Sequence, residues 1–565
     1  MRCRRLPSIA IGTGGSEVNA APDHRARWKW APLLPAIVVM LLLSLWLART
    51  KAPWCDEGWW VNPAYNLAFH GRMGMSVVQP SGQFINAYLR GLQERTYTYP
   101  PNHFVALAAW FRLFGFSVFT ARVYSACWSA LALAALFFIA LRLFPDPRVA
   151  QLAALFIAID FIFLWATADG RPDAMANCLA VCSVAAYLRL REKHLGTAVL
   201  VSQILAAAGV FAHLNALVVM PALAGAAWFL DRKRLRPQYA LWAVAPYLFF
   251  ALLWSIYIVQ SPADFVAQFL PQAGWSERWR GFLRPDLVIV AEVVRHLAPY
   301  CLDGLWQGVM NGWAILIPFL YLAALIWFLR SRRRLETTER AFLLFTIVLL
   351  CGMTFLNGFK GYYYLIYIVP AYDVILAAWL LSLWKGSKQG KWAASFIALA
   401  FAILQVSTSI QHIRADEYRR DYEPAVRDLQ RYRSDGQSIM GTAALGLGLH
   451  FAGFQDDIRQ GTYSGLDPDV LVLDRSYRRF TRGFEKDEPP VFTHIVARLS
   501  SEYRPAAQHG SIWIFERVRP AADAKIAPWI DVSKVESMQK GKRADYFFRS
   551  IFSAAHFRDL AESGL

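Results

Sequence analysis

The stretch Trp54-Cys55-Asp56-Glu57-Gly58-Trp59-Trp60 sets two carboxylates among tryptophans, just beyond an apolar run from Ala31 to Ala48 that is bounded by Lys29, Arg49 and Lys51. Tryptophan prefers the headgroup zone of a bilayer. An acid held there is poorly hydrated, and desolvation lifts its pKa toward that of a useful general base. The plainer reading is that Asp56 and Glu57 only begin an interfacial helix, where acids suit the positive end of the helix dipole. Other chemistry-bearing residues recur in separate short links: Asp169-Gly170-Arg171-Pro172-Asp173, His213-Leu214-Asn215, and Asn357-Gly358-Phe359-Lys360-Gly361-Tyr362.

The elements that must position these groups are membrane helices. The chain has 565 residues, 56% of them hydrophobic and 15% aromatic, with positive mean hydropathy, which is the composition of a polytopic membrane protein with room for one soluble domain. Its net charge of +18 lies largely in short loops between apolar segments, which argues against a nucleic-acid partner. The seven cysteines show no metal-type spacing, and Cys178 and Cys182 read as small buried thiols in an apolar helix. Residues 1–30 form a basic, disordered cytoplasmic N-terminus; the apolar run after them lacks a small-x-small cleavage site and reads as a retained first span.

About eleven segments are long enough to cross at roughly 20 residues each. They lie near 31–48, 118–141, 149–166, 173–190, 196–212, 215–230, 238–259, 311–330, 341–357, 362–384 and 392–411. With the N-terminus inside, the basic loops at 142–148, 189–193, 231–236, 330–340 and 385–391 all fall on the cytoplasmic side. That parity holds only if Asn102 to Phe114, which is short and carries Arg112, lies in the interface instead of crossing. The outward side then gathers a first loop at 49–117 with interfacial helices, the three links above, a second long loop at 260–310, and everything after about 411. Transport paths place such groups along helix centres; here they collect at one face.

Residues 412–520 read as a small α/β domain, with a helix over Tyr422 to Tyr432 and strands near 438–440, 470–473, 494–497 and 511–515. Gly441 to Gly448 lacks the lysine and glycine spacing of a phosphate loop. Residues 521–565 are a basic tail that rests on anionic lipid or moves freely.

The ordered motifs resemble something known. They are an Asp-Glu after the first helix, Pro100-Pro101 before an aromatic interfacial helix, Phe114-Gly115 followed by Ala121-Arg122, then Gly170-Arg171-Pro172-Asp173, and Lys360 with Tyr363, Tyr364 and Pro370. Over about 50–411 this resembles the GT-C glycosyltransferases, particularly the bacterial dolichyl-phosphate-mannose-protein mannosyltransferase-like and aminoarabinose-transferase-like families. The resemblance implies an all-α polytopic bundle at 31–411, of about eleven transmembrane helices, and the residue pattern adds a small C-terminal α/β extracytoplasmic domain. It implies an inverting transferase of the bacterial inner membrane that takes a sugar from a polyprenyl-phosphate donor. The acceptor, a lipid, glycan or protein, would be met on the periplasmic face. An outward site has no nucleotide sugars to draw on, so a lipid-carried donor fits.

By the resemblance, Asp56 is the general base. Glu57, about 100° away around a helix, orients a partner or holds the loop. Asp173 is a further catalytic candidate or an N-cap. Arg122, Arg171 and Lys360 are candidate donor-phosphate ligands, with snorkelling the alternative for Arg122. His103, His213, Tyr363 and Tyr364 are candidate substrate contacts, with an aromatic belt explaining the tyrosines equally well. No Cys/His metal cluster is visible, although a divalent ion (Mg or Mn) at Asp56 and Asp173 is compatible with the resemblance. Pro100 stands where aminoarabinose transferases place a lysine, which argues against transfer of that sugar to lipid A. Asp160 and Asp373 fall inside spans, where acids are costly. The rival readings are a lipid-linked-sugar flippase, which repeats and mid-helix charges would favour, and a non-catalytic glycan-binding membrane protein.

Overall fold

The computed structural model describes residues 30–80, 89–273, 282–301, 313–357 and 360–518. The expectations for 1–29 and 521–565, for parts of the 260–310 loop, and for Gly358 and Phe359 lie outside the described residues. Each of the eleven segments expected to span is helical over most of its described residues. By length and apolarity, eight helices qualify as spans among the described residues, and nine when Pro147–Ile159 and Phe161–Thr167, bent by 58°, count as one. The bend has a local cause. Asp160 sits in extended backbone, ends the first helix, and its carboxylate caps the second by accepting from the Phe163 N–H. Its other oxygen receives the hydroxyl of Tyr321 at 2.8 Å and the amide of Gln405 at 2.5 Å. Tyr321 is also 2.9 Å from Asp373, so its hydroxyl links the two buried acids.

Five helices position the site. They are α1 (Leu33–Thr50), α2 (Cys55–His70), α3 (Asn102–Phe114), α4 (Val118–Leu143) and α5 (Asp173–Leu190). At 13 residues, α3 reaches only about 20 Å, short of the hydrocarbon core. It ends at Gly115, whose φ of 77° suits glycine. Two later helices, α6 (Pro285–Cys301) and α7 (Thr337–Phe355), carry a second polar cluster.

The C-terminal domain holds strands β1 (Ile439–Met440), β2 (Phe454–Gln455), β3 (Val470–Leu473), β4 (Tyr503–His509) and β5 (Ile512–Arg517). Their order is β2-β1-β3-β5-β4. Strand β1 is parallel to both β2 and β3, while β5 runs antiparallel to β3 and β4. The strand expected at 494–497 is helical, inside Pro489–Ser501. Two prolines at its first positions start that helix, and the β-branched residues form its buried stripe, Val491 and Ile495. Edge strand β4 and the two-residue β2 are additions to the sequence reading.

The domain is pressed onto the start of α2. A Cβ at Gly58 would lie 2.2 Å from the Ala443 carbonyl oxygen. Gly58→Ala must therefore separate the two parts or distort one, at about 1–3 kcal/mol. We expect a lower melting temperature and faster proteolysis between α2 and the sheet; unchanged values would refute this contact.

Candidate active site

Helix α2 begins where Trp54 is extended, and its first turn carries Asp56 and Glu57. Successive residues point about 100° apart, and the two acids take separate partners. Glu57 turns inward and accepts both Nε and Nη2 of Arg122, at 2.8 and 2.7 Å, plus the Gly170 N–H at 2.9 Å. Arg122, fully buried on α4, also donates to the carbonyls of Ala48 and Lys51 at 2.8 and 2.7 Å. Lys51 meets Asp169 at 2.5 Å and lies 3.9 Å over the Trp165 ring. These buried pairs fasten the end of α1, the start of α2 and the 169–173 link together.

Asp56 faces the other way. Its side chain is 39% exposed, and one oxygen accepts Nη1 of Arg171 at 2.5 Å. The same guanidinium donates through Nε to Asp173 at 2.9 Å and lies over the ring of Tyr363 at 4.1 Å, with Trp54 and Tyr364 at 5.2 and 5.7 Å. Asp173 in turn stands 3.9 Å from Nδ1 of His213, whose ring is walled by Trp60 and Tyr364 at 5.4 and 5.6 Å. His103, edge-on to Trp60, is fully buried. Burial, reinforced by the neighbouring His213 and Arg171, drives its pKa down to about 3, so the imidazole is neutral and offers an anion no cation.

A second cluster sits on α6 and the link after α7. Glu292 binds Arg295 and accepts Lys360 at 3.0 Å, with His296 Nδ1 3.5 Å away. Lys360 also donates to the carbonyls of Met353 and Thr354 at 2.9 and 2.6 Å, closing the end of α7. Burial, only partly opposed by Glu292, lowers its pKa to about 8. Arg295 reaches Asn357 at 3.3 Å, and Asn357 donates to Asn215 at 2.9 Å, two residues from His213. The clusters are thus neighbours with opposite charge balance. Two acids face one arginine in the first; two cations face one acid in the second.

The structure joins Asp56, Arg171, Asp173, His213, Tyr363 and Tyr364 in one cluster, with His103 close by. It bears on three further sequence assignments. Arg122, a candidate phosphate ligand, is buried and bound to Glu57 and two carbonyls. Glu57, a catalytic candidate, is correspondingly turned inward and bound to Arg122 and the Gly170 N–H. Lys360 lies in the second cluster with all three N–H groups in use. The residues also do not suit a divalent ion at Asp56 and Asp173, since the Arg171 guanidinium already bridges them, and among the described residues no group of three or more His, Cys, Asp or Glu converges on a metal position. Sequence reading missed Glu292, Arg295 and His296. Their i, i+3, i+4 spacing on an otherwise apolar stretch is the signal that would have placed them on one helical face.

Residues 98–257 match a family model described as dolichyl-phosphate-mannose-protein mannosyltransferase. No curated protein sequence matches the chain. Among solved structures, ArnT from Cupriavidus metallidurans bound to undecaprenyl phosphate superposes with a TM-score of 0.52 and 12% identity, covering 89% of this chain and 100% of that one. The apo form of the same protein gives 0.51 and 11%, covering 87% and 98%. The apo oligosaccharyltransferase of Archaeoglobus fulgidus gives 0.49 and 12%, covering 84% and 69%.

Proposed function

We propose that this chain, which is similar in fold to ArnT and matches the mannosyltransferase family model over residues 98–257, transfers a sugar, with inversion, from a polyprenyl-phosphate donor to an acceptor at the periplasmic face of a bacterial inner membrane. The observation that carries this reading is the exposure of Asp56. Glu57, Asp169 and Asp173 around it have side chains at most 2% exposed, and only Asp56 is open enough, at 39%, to meet an incoming nucleophile. In the reaction the acceptor's oxygen or nitrogen attacks the anomeric carbon and its proton passes to Asp56. The bond from that carbon to the donor's phosphate oxygen breaks, and polyprenyl phosphate departs with the electron pair. Arg171 holds Asp56 in place while Asp173 balances its charge. The orientation rests on the arginine-rich loops at the opposite ends of the spans, around Arg191 and Arg234.

The second cluster supplies the charge that a departing phosphate needs. Glu292 holds Arg295 and Lys360, and a phosphate would compete for the same N–H groups. Titration of the full chain with undecaprenyl phosphate tests this. Arg295→Ala should weaken binding about tenfold, near 1.4 kcal/mol, whereas Glu292→Gln should strengthen it. Weakening by both variants would refute the exchange.

Acidity gives a further check. Lys360 is charged below its pKa of about 8 and neutral above it, so affinity for undecaprenyl phosphate should fall as pH rises through that value, and Lys360→Met should abolish the dependence. The stability linkage runs the opposite way. The folded pKa lies below the ordinary 10.5, so the unfolded chain binds the extra proton between the two values, and this lysine makes stability rise with pH over that window. A loss of affinity over the same range therefore cannot be blamed on Lys360 unfolding the protein.

A further inference from the structure

The sheet of the C-terminal domain reverses its winding at one point. From β1 the chain passes to β2 on one side and then to β3 on the other, with both pairings parallel. Such a reversal leaves a crevice outside the carboxyl ends of the two strands, which is where open α/β sheets bind ligands. Here those ends carry Thr442 after β1 and Asp474 and Ser476 after β3. Thr442 Oγ1 donates to Asp474 at 2.5 Å, spanning the reversal.

The same edge faces the base. The Cys55 thiol lies against Ser476 and within the field of Asp474, and 3.8 Å from Asp56. A separate residue does the fastening: Asp456 accepts Trp59 Nε1 of α2 at 2.9 Å and the Ala443 N–H at 2.8 Å, and its backbone pairs with Val77 and Gln79 of the first loop. Asp456 is buried, while Asp474 and Ser476 are half-open. One group holds the domain down, and the other lies beside the thiol next to Asp56.

We propose that the C-terminal domain forms the acceptor side of the site, with Asp474 and Ser476 hydrogen-bonding the hydroxyls of a glycan acceptor as it approaches Asp56. Asp474 accepts from Thr442 Oγ1 on one oxygen and from the Tyr477 N–H on the other; a carboxylate can accept more than one hydrogen bond per oxygen, and with the Ser476 hydroxyl beside it the pair suits adjacent sugar hydroxyls. The inference rests on Asp56 as the base.

The test is mass spectrometry of envelope glycans from cells carrying only the full-length variant, alongside titration of each purified variant with undecaprenyl phosphate. Asp474→Asn and Ser476→Ala should each reduce the modified glycan about tenfold while affinity for undecaprenyl phosphate stays near wild type. Wild-type glycans in both variants, or an equal loss of undecaprenyl phosphate affinity, would overturn the proposal. If Asp474→Asn does not accumulate, Ser476→Ala decides alone. An Asp56→Asn strain separates the two readings: unchanged glycans there defeat the base assignment, whereas loss there with normal glycans in the other variants defeats only the acceptor wall.

Discussion

Asp56→Asn should lower the transfer rate by about 10²–10⁴, the usual contribution of a positioned base, with stability and undecaprenyl phosphate affinity close to wild type. Asparagine keeps the shape of the side chain and still accepts from Arg171, which retains Asp173 as its second partner at 2.9 Å. The side chain is already partly in solvent, so losing its charge strands little. The loss should fall on kcat and not on the donor's KM, because the proton is taken only as the new bond forms. Asp56→Glu, which moves the carboxylate without removing it, should retain more activity than the asparagine variant. A rate within tenfold of wild type for Asp56→Asn would mean that the proton goes elsewhere, and the buried Asp173 would have to be reconsidered with Arg171 displaced.

What the sequence disclosed and what it hid divide along a physical line. The carboxylates of residues 54–60, the Gly170-to-Asp173 link and the tyrosines after Lys360 were legible because each is a local pattern beside an apolar run. Hydropathy and loop charge then assign them to one end of the bundle. Pairing is another matter. Arg122 and Glu57 lie 65 positions apart, and nothing local distinguishes an arginine locking a loop from one awaiting a phosphate. Lys360 posed the same problem, since its partner Glu292 belongs to a stretch that reads as loop. The helix over 489–501 misled for a different reason: its Val491 and Ile495 are one turn apart, and a short β-branched run reads as a strand until the paired prolines before it are given weight. The sheet order, which brings Thr442 and Asp474 together at 2.5 Å, depends on pairings between strands and has no signature in any single segment.

The lock beneath the base should be the more costly place to cut. Arg122 and Glu57 have side chains 0% and 1% exposed, and removing one partner of such a pair strands the other charge in a medium that cannot solvate it, at about 3–5 kcal/mol. Arg122→Leu also orphans the carbonyls of Ala48 and Lys51, which lose donors at 2.8 and 2.7 Å. Thermal unfolding of the purified chain should show a large drop for Arg122→Leu and a similar one for Glu57→Leu. The double variant should recover part of the loss, since neither charge is then left alone, though the Gly170 N–H still lacks its acceptor. Transfer should remain impaired in the double variant even where stability returns, because the α2 start and the 169–173 link are no longer tied in register. The outcome also separates the two roles open to Arg122. A normal melting temperature combined with weakened undecaprenyl phosphate binding would make it a phosphate ligand after all, whereas lost stability with normal binding in the surviving folded fraction identifies it as the fastening that holds Asp56 toward the acceptor.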